Sequence, residues 1–408
     1  MKSRNLELDR LRAFAVLMTL NIHLMRAFFP WNMFQPYRTD GTVDNIINNS
    51  WTGVDLFLVI SGYIISKTIV RQLDFFKGAS SMQAVLVKAF YIRRIFRIYP
   101  VAWTVFILVV ALSVFFNEIG YFGSLTSNLE AGISIFTYTY NYFAFGSCTS
   151  HACPLAPYWS LSLEEQFYLV MPFFLLLVRS TKRRVAVLAG LLLAMTFIVR
   201  PVLHQDELTF FIHNRGDGLL YGCLLYFLTE QPWFQAIRLR AAGNRTVTGA
   251  LTLVMVAVLA GIPGIGFSAS LAIPVACLLS SLLVLIASCE SGFISFAKPI
   301  EAVLDYLGAR SYSLYLIHMP MLTVAQEIMF RHERALHEAI GSQLWPQYLA
   351  LAAALSLAAT ELVYRLIEQP MLAKGRSLSE RLIHAGREPV RGDAPAQGAP
   401  ALEGKASA

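Results

Sequence analysis

Long apolar runs separated by short charged segments recur along the chain, and most are close to the about 20 residues that a helix needs to cross a bilayer. They predict spanning helices at Leu11 to Phe29, Gly53 to Val70, Tyr99 to Phe116, Ser160 to Val178, Val185 to Leu203, Gly216 to Thr229, Thr246 to Ile262, Ser268 to Ala287, Ser311 to Phe330 and Trp345 to Ile367. The expected fold is therefore all-α: a polytopic bundle of about ten helices. An eleventh stretch, Ile133 to Phe145, reads ISIFTYTYNYFAF and is too short and too polar for hydropathy to place.

Positive charge resolves it. If residues 133–145 do not cross, four basic clusters fall on one side: Lys2, Arg4 and Arg10; Arg71 through Arg97; Arg179 through Arg184; and Arg238, Arg240 and Arg245. That is the bias cytoplasmic loops carry. The stretch is expected to be re-entrant or interfacial, with both termini in the cytoplasm. Composition agrees, since 56% of the 408 residues are hydrophobic and 14% are charged, outside the range of soluble domains. The net charge of +7 resides in the loops and tail, which favours membrane orientation over nucleic-acid binding as its cause.

Residues 1–370 read as one membrane-embedded domain. Residues 371–408 read as a cytoplasmic tail, largely disordered toward the C-terminus, where Ala, Gly and Pro accumulate. No cleavable signal peptide is expected, because the first apolar run is long enough to span and carries Arg12, His23 and Arg26. Cys148 and Cys153 fall in an outward segment where a disulfide or two thiols are both open. Cys223, Cys277 and Cys289 read as packing residues, and no metal-ligand spacing occurs.

Ionisable side chains inside spans single themselves out, because burying them in hydrocarbon is costly. His23 follows Arg12 by eleven residues, about three turns, so the two share nearly one helix face roughly 16 Å apart. Histidine serves as a general base near neutral pH; equally, a lone intramembrane histidine binds a neighbouring helix. Arg93, Arg94 and Arg97 sit at the inner foot of the third span, suited either to phosphate groups or to anionic headgroups. Asp55, Glu164, Glu165, Arg215 and Asp217 lie toward the outer half as hydroxyl acceptors, helix caps or interhelical ion pairs. Glu164 and Tyr168 are one turn apart and act as a unit, whereas Glu165 points about 100° away. Ser61, Gly62 and Tyr63 suit substrate contact or close helix packing, and His318, placed in the inner half of its span, suits a tunnel wall or a structural hydrogen bond.

Five blocks occur together: LELDRLRAFAVLMTLNIH from Leu6, GVDLFLVISGYIIS from Gly53, RRIFRIYP from Arg93, YWSLSLEEQFYLVMP from Tyr158 and SYSLYLIHMP from Ser311. Across Leu6 to Pro370 the chain resembles the acyltransferase-3 family of integral membrane acyltransferases, which O-acylate sugars and related acceptors. Arg10 departs from the glycine usual in that family, and Ile317 and Met319 flank His318 where aromatics are common.

The resemblance implies His23 as catalytic base or acyl carrier, with Asp55 or Glu164 orienting it. Arg12, Arg94, Arg97 and Arg93 would bind the phosphates of an acyl-CoA, acetyl-CoA by expectation and succinyl as an alternative. Ser61, Tyr63, Tyr168, Arg215, Asp217 and His318 would contact substrates, and no metal is implied. The expected setting is a bacterial inner membrane, multi-pass, among membrane lipids, with a carbohydrate or lipid-linked glycan as acceptor. An O-antigen or exopolysaccharide sugar is the favoured acceptor, and a lipid or a secreted metabolite such as a macrolide is the alternative. A proton-coupled transporter is the competing class, since intramembrane His, Asp and Glu also form proton relays.

Overall fold

A computed structural model describes residues 5–28, 50–147, 153–203, 210–236, 245–265, 269–335 and 345–391. Every regular element among them is helical. In chain order they are α1 (Leu6–Phe28), α2 (Gly53–Phe75), α3 (Ser80–Phe115), α4 (Leu125–Phe136), α5 (Tyr140–Ser147), α6 (Tyr158–Leu177) and α7 (Thr181–Ala194). A π turn, Met195–Val199, carries α7 on into Arg200–Leu203. Then come α8 (Ile212–Arg215), α9 (Asp217–Thr229), α10 (Pro232–Ala236), α11 (Arg245–Gly261), α12 (Ala269–Ser288), α13 (Lys298–Ala335) and α14 (Trp345–Val363), and a second π turn, Tyr364–Glu368, leads into α15 (Gln369–Arg391).

Of the ten expected spans, six helices among the described residues are long and apolar enough to cross a membrane by length and composition. The helices of spans six and seven are shorter, at Asp217–Thr229 and Val247–Gly261. The first and ninth lie in α1 and α13, outside those six, and both helices carry charge at their N-terminal ends. That charge is paired: Arg10 of α1 donates to Glu301 at 2.8 Å, to Asp305 at 2.8 Å and to the Ile294 carbonyl at 2.8 Å. The arginine that departs from the family pattern thus ties α1 to the start of α13. Outward-facing Ile107, Leu177, Phe197, Val254 and Leu278 are exposed on the bundle surface, as hydrocarbon surroundings permit.

Glycines set two close helix crossings. A Cβ on Gly62 would lie 2.2 Å from the Leu219 carbonyl oxygen, and one on Gly222 would lie 2.2 Å from that of Val59, so α2 and α9 meet backbone to backbone. Gly308 brings α13 equally close to Asp9 of α1. Asp9 meets Gly308 at one level and His23 meets His318 at another, so α1 and α13 run parallel.

The ambiguous stretch folds as a hairpin of α4 and α5. Gly132 packs on the Phe106 ring, Phe136 on Trp103 and Tyr138 on Tyr99, descending α3 one turn at a time. At Tyr138 the backbone takes φ 56°, a left-handed conformation that reverses the chain. Tyr140 then returns to pack against Tyr158, whose hydroxyl donates to the Ala102 carbonyl at 2.5 Å. Two helices of 12 and 8 residues are too short to span singly, so this geometry suits a re-entrant segment.

The segment after Pro370 is more ordered than its composition suggests. Leu372, Gly375, Ser379, Ile383 and Gly386 recur at helical spacing and turn inward, and Gly375 and Gly386 seat α15 on Phe96 and Val85 of α3. The helix reaches Arg391; the disorder expected beyond about Arg387 concerns residues that, from 392 on, lie outside the described ones. Cys153 is disulfide-bonded, while Cys148 lies outside the described residues. Cys223 and Cys277 are buried free thiols and Cys289 is a half-buried one.

Candidate active site

Two connected cavities enter the bundle along α1, α2, α3 and α13. The outer one, of about 340 Å³, is basic: Arg12, Lys67, Arg97 and Arg376 line it beside Asn5, Asp9, Glu368 and Gln369. It shares Arg12, Ile64, Arg97, Ser311 and Tyr312 with an inner cavity of about 100 Å³, which continues past Ser61, Arg94, Glu164 and Tyr168 to Ser160 and Tyr315. Long helices supply these residues because only a helix started well before the apolar run holds a guanidinium at its foot. Thus α3 begins nineteen residues before Tyr99, and its first half presents Arg94 and Arg97 inward.

Within the inner cavity Tyr168 donates to Glu164 at 2.6 Å, the one-turn pair that the spacing anticipates. The Arg94 guanidinium stacks 5.0 Å from the Tyr168 ring centroid and 5.6 Å from that of Phe90. Arg12 is held by Asp9 at 2.6 Å. Ser61 lines the cavity, whereas its neighbours turn elsewhere: Gly62 into the α9 contact and Tyr63 toward Tyr226 and Lys67. Arg93 lines neither cavity and lies within the electrostatic reach of Glu380 on α15. Glu165 is buried away from the cavity, and its Oε1 has no hydrogen-bond partner among the described residues.

His23 pairs with His318. Nδ1 of His23 lies 2.8 Å from Nε2 of His318, and the rings stack with centroids 5.0 Å apart. Nδ1 of His318 lies 3.1 Å from the Leu314 carbonyl, which only accepts, so that nitrogen carries the proton. In a neutral His318 the other nitrogen, Nε2, must therefore accept from His23 Nδ1–H. A neutral His23 then bears its lone pair on Nε2, the form a base requires. The helix α13 starts at Lys298 rather than Ser311, which puts His318 near its middle and level with His23.

Neither carboxylate expected to orient His23 is placed for that part. Asp55 accepts from Arg215 at 2.9 Å, and Glu164 is held by Tyr168. Asp217 pairs in turn with Arg200, and all four charges of this Asp55, Arg215, Asp217 and Arg200 group are buried. Trp51 covers the Arg215 guanidinium at 4.5 Å from its ring centroid. A compensated, desolvated quartet joins α2, α8, α9 and the end of α7. Its members read as interhelical ion pairs, the alternative their sequence left open.

The end of the inner cavity is closed by a hydrogen bond of 2.5 Å between Ser160 and Tyr315. The Tyr315 ring lies 6.0 Å from that of His318, so this pair stands between the cavity and the imidazoles. Lys67, Arg376, Ser160 and Tyr315 were not singled out by the sequence. Arg376 follows Pro370, beyond the last of the recurring blocks, and Ser160 and Tyr315 sit inside those blocks without charge to mark them.

A family model described as "Acyltransferase domain" matches residues 5–365. The chain is 27% identical over 394 residues to the peptidoglycan O-acetyltransferase OatA of Listeria monocytogenes, a match covering 90% of this chain and 56% of that one. It is 26% identical over 418 residues to YrhL of Bacillus subtilis, covering 93% and 57%. Against the O-acetyltransferase OatA of Staphylococcus aureus it is 25% identical over 399 residues, covering 90% and 57%. The chain spans just over half the length of these relatives. No solved structure matches.

Proposed function

Since the chain belongs to the acyltransferase-3 family, we propose that it is a multi-pass membrane O-acyltransferase that moves an acetyl group from acetyl-CoA to a sugar hydroxyl of a cell-envelope glycan. The observation that carries the reading is the continuous path from a four-cation vestibule, through a polar tunnel, to the Ser160–Tyr315 pair beside two hydrogen-bonded histidines. Arg12, Lys67, Arg97 and Arg376 suit the phosphates of the donor, because guanidinium binds phosphate bidentately and keeps its charge. The narrower tunnel suits a pantetheine arm, and its hydroxyls and Glu164 suit the amides of that arm.

Transfer needs one base. His23 Nε2 takes the proton of the acceptor hydroxyl as that oxygen attacks the thioester carbonyl. The carbon–sulfur bond breaks, the ester forms, and the departing thiolate recovers the proton from His23. His318, pinned by the Leu314 carbonyl, keeps His23 in the reactive tautomer and steadies its positive charge during the exchange. Attack by His23 itself, with an acyl-imidazole intermediate, uses the same lone pair. Acyl-enzyme trapped in the absence of acceptor distinguishes this route.

The site faces two compartments in this reading. Both termini and the vestibule are cytoplasmic, the acceptor arrives from outside, and the protein resides in a bacterial inner membrane. Parallel α1 and α13 support it, because the first and ninth of ten alternating spans run in the same direction. The relatives support a glycan acceptor, since all three carry O-acetyltransferase names and two of those names, one of them marked as provisional, specify peptidoglycan. O-antigen or exopolysaccharide sugars fit the same site. The test is incubation of reconstituted protein with radiolabelled acetyl-CoA and isolated envelope glycans, beside NMR of those glycans from cells with and without the protein. Alkali-labile acetyl that appears only with the protein and vanishes in His23→Ala is the expected result; unchanged ester content in every glycan fraction overturns the reading.

A further inference from the structure

The helix α13 separates two cavities. One stripe, Gly308, Ser311, Tyr312 and Tyr315, lines the donor path. A second, Val303, Leu307, Leu314, His318 and Leu322, turns to a groove of about 660 Å³ walled by α1 and α14. From Leu314 to Tyr315 is a rotation of about 100°, so a single helix serves both spaces. The walls are almost wholly carbon: Leu17, Leu20 and Leu24 from α1, and Ala353 and Leu357 from α14. Asn21, which also lines it, donates to Ser50, and Tyr306 spends its hydroxyl on Glu361. An open, carbon-lined groove between three helices of a membrane bundle is filled by hydrocarbon, and the charges beside it among the described residues, Arg310 and Glu361 next to Tyr306, are paired with each other.

What distinguishes this groove from any lipid-facing crevice is His318. Its ring forms part of the wall and also accepts the hydrogen bond from His23. His23 lies eleven residues after Arg12 and so shares the donor-side face of α1, while Leu20 and Leu24 on either side of it line the groove. The imidazole pair thus bridges the seam between the donor path and the groove. A chain lying along α13, with its polar end near Leu24 and Leu322, brings a hydroxyl to His23 from the side opposite the thioester.

Building on the acyl-transfer reading, we propose that the groove between α1, α13 and α14 holds the hydrocarbon anchor of the acceptor, so that the substrate is a lipid-anchored glycan. The binding surplus comes from apolar contact along the anchor, and the sugar is positioned by where the anchor ends.

The test uses full-length protein in phospholipid vesicles. The first probe is a disaccharide on an isoprenyl diphosphate with a diazirine in its tail, and the first readout is the crosslinked residue found by mass spectrometry. Labelling of Leu17, Ala353 or Leu357, competed by the unlabelled lipid-linked disaccharide and not by excess phospholipid, is expected. Equal competition by phospholipid, or labelling elsewhere, means an ordinary boundary lipid and overturns the proposal, whether or not acetyl transfer is detected. The second readout compares acetylation of the lipid-linked and lipid-free disaccharides by wild type, Leu17→Trp and Ala353→Trp. A rise of at least tenfold in KM for the lipid-linked acceptor alone is expected from the tryptophans. Equal KM values for both acceptors in the wild type overturn it. Absence of any transfer together with competed labelling of the groove counts against the enzyme reading and leaves the binding site standing.

Discussion

Nδ1 of His23 and Nε2 of His318 lie 2.8 Å apart, although 295 residues separate them in the chain. The bond has a direction because the Leu314 carbonyl fixes the proton on the far side of His318. Removing the acceptor at position 318 takes away the group that holds the proton on His23 Nδ1. We expect His318→Phe, which keeps the ring-shaped packing, to lower kcat on the order of 10²-fold, the usual worth of a well-placed base, with little change in KM for donor or acceptor. His318→Gln retains a carbonyl oxygen that accepts from His23 and should recover part of the loss. Steady-state kinetics with normal yields of folded protein check this; equal rates for the Phe and Gln variants would assign His318 to packing alone.

The vestibule carries a second expectation. Lys67 and Arg376 come from α2 and α15, and both line the basic cavity far from the imidazole pair. Hydrogen bonds to charged groups contribute roughly 1.5–3 kcal/mol, or about ten- to a hundredfold in affinity. Arg376→Ala should therefore raise the KM for acetyl-CoA about tenfold and leave kcat nearly unchanged, because its contact is made equally in ground and transition states. Truncation before α15 should do at least as much. A loss confined to kcat in Arg376→Ala would remove the phosphates from this end of the path.

Much of this arrangement is readable in one dimension. The eleven-residue spacing puts Arg12 and His23 on one face, and the four-residue step from Glu164 to Tyr168 gives the hydrogen bond seen at 2.6 Å. Helix periodicity fixes such relations locally. Partners between helices are not encoded that way: nothing near Asp55 points to Arg215, and nothing near His23 points to Leu314, whose carbonyl sets the tautomer. Composition says nothing of the helix that follows Pro370, where Gly375 and Gly386 are the contact points on α3. At α1 and α13 the pairing of Arg10 with Glu301 and Asp305 joins residues 291 and 295 positions apart, which no local pattern announces.

The buried quartet gives a prediction about stability. Asp55 and Asp217 are fully buried, and each faces an arginine that is nearly so. Breaking one buried pair strands the other charge and costs about 3–5 kcal/mol. Asp55→Asn should lower the Tm of the detergent-solubilised protein by several degrees, and Arg215→Met in the same chain should restore part of it, because the stranded cation is then gone. A double variant less stable than the sum of both single losses would refute the ion-pair account. It would also reopen a direct role for Asp55 in the reaction.

The α2–α9 contact sets a stringent steric condition beside the donor path. A Cβ on Gly222 would meet the Val59 carbonyl oxygen at 2.2 Å and the Tyr63 nitrogen at 2.6 Å, both of them backbone atoms with no rotamer to yield. The helices must separate to admit even one methyl, and Ser61 on the cavity side of α2 moves with them. Gly190 on α7 provides the control, since a Cβ there meets nothing within 4 Å and alanine suits a helix better than glycine by about 0.5–1 kcal/mol. Gly222→Ala should therefore reduce both folded yield and transferase rate, whereas Gly190→Ala should match or exceed wild type in thermal stability at unchanged rate. Fluorescence-detected size-exclusion chromatography across a temperature series measures both. Similar curves for the two variants would mean that α2 and α9 are not packed backbone to backbone, and that the walls of the donor path are placed by some other contact.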